Sequence, residues 1–264
     1  MSNSSLRLDG QKILITGVSR PLGIGATLAK RLAEAGATIA ITGFSDYDIA
    51  LGHQSATLNG TEILTQQLTS LGLAVTALGS ADLAVPGVAD NLVDEAAAKL
   101  GGLDGLLLNH AYSTYGEIGA WTAEHIDAHL LVNVRASMMM IQTFAKQADP
   151  TKDQAITLFT SGQYLGPMVN EIAYCVSKDA LIGLCKQTAY LLADQGIRVN
   201  CINPGPNDTG YCFGEDHQNI ARMFPKGRWG TPDDTADLVL FLHSAYAKWI
   251  TGQVIASEGG FKRG

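Results

Sequence analysis

No uncharged apolar run in the chain approaches the ~18 residues a bilayer-spanning segment needs, so a membrane protein is not expected. Basic residues are sparse as well. Lysine and arginine total 18 against 25 aspartates and glutamates, a net charge of -7, and no basic cluster is long enough to follow a phosphate backbone. Nucleic acid is therefore not an expected partner. The four cysteines, Cys175, Cys185, Cys201 and Cys212, show no Cys-x-x-Cys spacing, and no metal site is expected. With no charged-then-apolar leader ahead of Leu6, they read as free thiols of a cytoplasmic protein. Also missing are a Pro/Ser-rich linker, a low-complexity tract and a self-similar repeat. A chain of 264 residues with 46% hydrophobic content then reads as one domain over 1–264 with a large core.

What is present is alternation. Short apolar, β-branched runs at 12–16, 38–42, 73–78, 103–108, 155–160, 197–202 and 253–256 read as buried parallel strands. Between them lie helical patterns at 24–35, 61–71, 86–100, 122–147, 172–195 and 232–244, the first with Ile24, Leu28, Leu32 and Ala35 on one face and Gly36 as its cap. The order implies an α/β fold: a Rossmann-type, doubly wound, seven-stranded parallel sheet with helices on both faces and ligands at the carboxyl ends of the strands.

Two motifs sit on this frame. Gly17, Gly23 and Gly25 fall between the first strand and the first helix, where backbone amides and the helix N-terminus hold a pyrophosphate. Farther on, Tyr174 and Lys178 stand four residues apart in a helical segment and so share a face. An ammonium beside a phenol favours the phenolate and moves it toward useful proton transfer at neutral pH. Alone, either motif has a plain structural reading, a turn or a helix surface.

Together with the rest of the chain they acquire a pattern. Thr16-Gly17, then Val-Ser-Arg-Pro-Leu, then Gly23-Ile24-Gly25 looks like Thr-Gly-x-x-x-Gly-x-Gly lengthened by two residues. Asp82-Leu83 follows the third strand, Asn109-His110-Ala111-Tyr112 the fourth and Asn203-Pro204-Gly205 with Thr209 the sixth; Asn133, Ser161, Tyr174 and Lys178 complete the set. The chain resembles the short-chain dehydrogenase/reductase family over essentially its whole length, and within it the bacterial 3-oxoacyl-acyl-carrier-protein reductases. The resemblance implies an oxidoreductase moving a hydride between a nicotinamide cofactor and a carbonyl or secondary alcohol. In it Tyr174 is the acid/base, Ser161 hydrogen-bonds the substrate oxygen, Lys178 favours the ionised Tyr174 and binds the nicotinamide ribose, and Asn133 holds a water that links Lys178 to solvent. Residues 6–110 form mainly the dinucleotide-binding half and 111–264 the catalytic and substrate-binding half. Cofactor contacts are implied for Thr16, Gly17, Ser19, Arg20, Gly23, Ile24, Gly25, Asp82, Leu83, Asn109, Ala111, Tyr174, Lys178, Pro204, Gly205 and Thr209. The departures are His110, read as structural rather than as a second acid, and Tyr112, whose bulk requires the loop 112–115 to run differently.

At the end of the second strand Gly43 falls where NAD-selective folds place an acid, so nothing there repels a 2′-phosphate, and Arg20 is poised to pair with one. NADP is favoured; NAD stays open through Asp46, a carboxylate able to replace the missing acid. The segment 206–230, with Tyr211, Phe213, Met223, Phe224 and Trp229, is expected to form a lid over an acyl, aromatic or alicyclic substrate. A strongly acidic carrier protein asks for a basic docking patch, which 187–196 does not offer, so a small free carbonyl compound, possessing or lacking a thioester, stays plausible. Two other readings are an NAD-dependent alcohol, polyol or steroid dehydrogenase of the same family and a non-catalytic nucleotide-binding sensor or scaffold. Apolar residues on more than one face of the long helices 122–147 and 172–195 (Met138, Met139, Met140, Leu181, Leu184, Leu191) point to a homodimer or homotetramer.

Overall fold

The computed structural model describes residues 6–53 and 55–263. Over these residues the strands are β1 (Lys12–Ile15), β2 (Thr38–Gly43), β3 (Val75–Ser80), β4 (Gly105–Leu108), β5 (Gln154–Phe159), β6 (Ile197–Asn203) and β7 (Val254–Ala256). All pair in parallel, in the order β3-β2-β1-β4-β5-β6-β7. The winding reverses between β1 and β4, and the crevice that opens there lies beyond the carboxyl ends of the strands. The central strands are buried because helices cover both faces; β4 and β6 are buried at every position, and β6 carries Arg198, Asn200 and Asn203 among its apolar residues.

One core layer packs α1 (Ile24–Glu34) and α9 (Pro232–His243) on the sheet, and Leu28, Leu32 and Val239 within it are fully buried. The other packs α4 (Val88–Leu100), α6 (Ala136–Lys146) and α7 (Ile172–Leu192), around Met140, Phe144 and Leu181. Each such leucine contributes roughly 1.5–3 kcal/mol by leaving water. Local signals start and stop the helices. Thr231 caps α9 in a capping box with Asp234, with Pro232 in its first turn, and Gly36, at φ +103°, follows the cap residue of α1. His243, at the end of α9, is buried with Nε2 3.0 Å from Thr157 Oγ1.

Several elements depart from the sequence reading. β3 lies at Val75–Ser80 rather than 73–78, where it pairs with β2 from Ile39↔Val75 onward. Two helices lie outside the apolar pattern, α2 (Ser45–Ala50) and α8 (Gly214–Arg222), the latter filling part of the expected lid, whereas α3 (Gly60–Ser70) falls at the expected helix and begins just after a left-handed Asn59. The segment 122–147 is not one regular helix. It runs as α5 (Ala123–His129), a π-helical turn Leu130–Arg135 and α6. Among the described residues no helix is long and apolar enough to cross a membrane.

Candidate active site

The glycine-rich turn is held by contacts that tolerate no side chain. Gly17 is left-handed (φ +72°), and a Cβ there would sit 2.9 Å from Asn109 Nδ2 and from the backbone of His110. Asn109 Nδ2 donates to the carbonyls of Thr16 (3.1 Å) and Gly17 (3.0 Å), tying the turn after β1 to the end of β4. A Cβ on Gly25 would collide with the Gly17 carbonyl oxygen, so α1 starts directly against the turn. Gly23 caps α1 without a side-chain hydrogen bond, which leaves the first N–H groups of the helix for an anion. Gly43 has a physical reason to lack an acid: any Cβ there would meet Val18 backbone atoms at 2.7 Å.

Gly43 leaves no acid at its own position, and the carboxylate that does face this region is Asp48, on α2, instead of the Asp46 weighed from the sequence. It is buried, accepts from the Ser19 hydroxyl, and pairs with Arg20 Nε at 3.2 Å, while Arg20 also donates to the Thr209 carbonyl at 3.3 Å. Asp46 is exposed and takes no part. The second acid was misplaced because α2 turns every residue after Ser45 around a helix axis, putting Asp48, not Asp46, inward.

Beyond β4 the loop through Tyr112 is pinned residue by residue. Tyr112 N–H donates to Asn133 Oδ1 (2.7 Å), and Asn133 Nδ2 donates back to the Tyr112 carbonyl (2.9 Å) and to Ser177 Oγ (2.8 Å). Both N–H donors of the Asn133 amide are thus used by protein groups, and Oδ1 keeps a second lone pair as its remaining acceptor position. Ser113 N–H donates to the Tyr47 hydroxyl at 2.8 Å, and that hydroxyl donates to the Ser113 carbonyl at 3.0 Å, so α2 is joined to this loop across the gap above β1. Thr114 N–H donates to His129 Nε2 at 3.3 Å, and the Tyr112 ring packs between Tyr47 (5.2 Å) and His129 (4.8 Å). The bulk of Tyr112 is accommodated in this way.

His110 is a structural residue. Its Nε2 donates to the Val132 carbonyl (3.1 Å), a group of the π turn, which assigns Nδ1 as acceptor for the Thr16 hydroxyl at 2.7 Å. Burial, with help from the Lys178 charge, pushes its pKa down to about 3 and keeps it neutral.

Tyr174 and Lys178 lie one turn apart on α7, with the ammonium 5.6 Å from the phenol ring centroid. Lys178 is 2% exposed and donates to the Phe159 carbonyl at 2.8 Å. Burial lowers its pKa to about 8. The expected depression of the Tyr174 pKa is not found. Burial raises it, against a hydrogen bond with Ser161 that lowers it, because the ammonium is directed at the end of β5 rather than at the phenol oxygen.

A cavity of about 1410 Å³ runs over the strand ends from Arg20 and Asp48 to Tyr174 and Phe213. Gly17, Ser19, Arg20, Gly23, Ile24, Asp82, Leu83, Asn109, Ala111, Ser161, Tyr174, Pro204, Gly205 and Thr209 line it. Thr16, Gly25, Asn133 and Lys178 stand behind its wall, supporting the residues that do. Asp82 accepts from Ala84 N–H at 2.8 Å, the turn-forming role open to any aspartate after a strand. Of the lid residues, Tyr211, Phe213 and Met223 face the cavity, whereas Phe224 (5% exposed) and Trp229 (4%) are packing, the latter stacked on His217 at 4.9 Å.

A family model described as enoyl-(acyl carrier protein) reductase matches residues 17–262. An uncharacterized oxidoreductase of Bacillus subtilis, YjdA, is 34% identical over 253 residues, covering 95% of this chain and 96% of that one. A short chain dehydrogenase of Burkholderia cenocepacia, solved in complex with NADP, superposes with a TM-score of 0.83 at 32% identity, over 96% of this chain and 98% of its own. The chain belongs to the short-chain dehydrogenase/reductase family. It is an oxidoreductase of that family with its seven-stranded Rossmann-type sheet. A blue fluorescent protein from a metagenomic library, solved in complex with NADPH, is also similar, 30% identical with a TM-score of 0.83, over 97% of this chain and 100% of that one.

As a short-chain dehydrogenase/reductase the protein has cavity residues that sequence reading missed: Tyr47, Asp48, Glu171, Glu258 and Arg263. Arg263 forms an ion pair with Glu258, at 2.8 Å through Nη1, and Glu258 also accepts from Asn203 Nδ2 at 2.7 Å. Of these, Glu258 stands in a closing Glu-Gly-Gly that resembles the family's C-terminal signature, and no motif marks Tyr47, Asp48 or Arg263. Glu171 had a positional signal, three residues before Tyr174 at the start of α7.

Proposed function

We propose that the protein reduces the carbonyl of a small molecule with NADPH, Tyr174 donating the proton to the carbonyl oxygen. The observation that carries this reading is the phenol of Tyr174, with Ser161 beside it, lining the same cavity as the uncapped N-terminus of α1. A nicotinamide dinucleotide in that cavity supplies the hydride, or accepts one from an alcohol. The chain has the groups to hold it. The N–H groups around Gly23 and Ile24 suit the pyrophosphate, Arg20 a 2′-phosphate, and Pro204, Gly205 and Thr209 the nicotinamide end. The two NADP-type complexes among its relatives support the same cofactor.

The protein's own part is acid catalysis. Burial keeps Tyr174 protonated at neutral pH, the form an acid needs, so carbonyl reduction is the better-served direction. Ser161 is placed to hydrogen-bond the same substrate oxygen, stabilising charge that develops there. Lys178, still largely charged at neutral pH with a pKa of about 8, holds positive potential behind the ring. Asn133 acts as a positioning residue: it fixes Tyr112 on one side and Ser177, next to Lys178, on the other. An acid-rich chain of net charge -7 is a poor match for an acidic carrier protein, which favours a free substrate. The test is NADPH oxidation with acetoacetyl thioesters, diketones and quinones. Tyr174→Phe is expected to lose about 10²–10⁴-fold in turnover; equal turnover overturns the assignment.

A further inference from the structure

The substrate half of the cavity contains a carboxylate with no cation against it. Glu171 lines the cavity together with Tyr174, and none of the ion pairs among the described residues includes it. The arginines that line the same cavity are already engaged, Arg20 by Asp48 and Arg263 by Glu258. The position of Glu171 is fixed by its backbone. Its N–H donates to the Met168 carbonyl at 3.0 Å, its carbonyl accepts from Cys175 N–H at 2.8 Å, and it bridges in parallel to Gly116, just after the pinned loop. The carboxyl group is half-buried, close to Ser113.

Around it the cavity wall is aromatic. Tyr115 (80% exposed) and Tyr211 (51%) both face the cavity, and the Glu171 charge is felt at Tyr174 and Tyr211 alike. A carboxylate partly withdrawn from water regains its lost solvation from a ligand cation, and ring faces beside it add to that attraction. An anionic ligand group meets like-charge repulsion instead. We infer that Glu171 selects the substrate, and that the substrate is a ketone, or the corresponding alcohol, carrying a protonated amine seated between Glu171 and the rings of Tyr115 and Tyr211. This rests on the reading of Tyr174 as the acid that protonates a carbonyl and narrows it to a substrate class.

The test uses ring ketones of one size that differ opposite the carbonyl: N-methylpiperidone, methylcyclohexanone and oxocyclohexanecarboxylate. For each, kcat/KM with NADPH is measured, and dissociation constants are taken separately by calorimetry with oxidised NADP present, where no turnover occurs. The cationic ketone is expected to lead the neutral one by about tenfold, and the anionic one to trail it by about as much. In Glu171→Gln the cation-to-neutral ratio falls to within about twofold. Each protein is read against itself, so a general loss of activity does not mimic the result. A wild-type protein that prefers the neutral or anionic ketone, or a preference that survives in Glu171→Gln, overturns the inference. If no ketone is reduced while the calorimetric ratios hold, Glu171 stands as the selecting group and the reductase reading fails.

Discussion

Arg20 is held between Asp48 and the Thr209 carbonyl, so its charge is partly neutralised before any phosphate reaches it. Asp48 also repels a phosphate directly, and Ser19 holds it in place. With a 2′-phosphate at Arg20, as proposed, selectivity there becomes a contest between Arg20 and Asp48, and Asp48→Asn is expected to tighten NADPH binding by about tenfold with little effect on NADH. Fluorescence titration of both nucleotides checks this; a weaker NADPH complex in the variant counts against it. The sequence shows that Gly43 is not an acid, but it cannot show that Asp48 takes up the vacated role, because that depends on how α2 rotates its side chains. The pairing of Tyr174 with Lys178 has the same limit. Spacing puts both on one face of α7, whereas the direction of the Tyr174 shift depends on burial and on the carbonyl that Lys178 finds at Phe159.

The element with the most leverage is the π turn Leu130–Arg135 between α5 and α6. Its altered pairing makes the Val132 and Asn133 carbonyls available to side chains, His110 at 3.1 Å and Ser137 at 2.7 Å, and it aims the Asn133 amide at the Tyr112 loop. Asn133→Ala strands the Tyr112 backbone groups and Ser177, and is expected to cost about 1–3 kcal/mol in chemical denaturation. An unchanged unfolding midpoint removes the positioning role assigned to it. The apolar rhythm of 122–147 continues through this turn, and no proline or glycine marks it, so periodicity reports one helix. Elements whose burial sets their sequence are legible. β1, β2, β4, β5 and β6 are largely apolar because helices cover them on both sides, and each has at least one end within a residue of its expected place. β3, at the sheet edge and only partly buried, shifts by two residues at both ends, and α8, with no residue fully buried, has no broad apolar stripe to betray it.

At the scale of the molecule, the residues that suggested assembly divide. Met140 and Leu181 belong to the core, while Met138 (51% exposed) and Leu191 (69%) stay on the outer faces of α6 and α7, near Val176 and Tyr190. We expect a second copy to cover these faces, and sedimentation at micromolar concentration to report a dimer or a larger assembly; a monomer refutes that expectation. The same two-layer architecture has a consequence for proton uptake. Each layer of helices presses a neutral imidazole against the sheet, His110 under the π turn and His243 at the end of α9, and burial pushes both pKa values from 6.5 to about 3. Between those limits the unfolded chain takes up protons that the native protein refuses, so acidification from about pH 6.5 toward pH 3 draws the equilibrium toward unfolding. Replacing His110 with asparagine should reduce that sensitivity, read as the slope of the unfolding midpoint against pH, by a share comparable to that which His243 retains, with His53, His129 and Asp234 supplying part of the rest. The histidine that looked like a spare catalytic acid then sets how far into acid the fold survives.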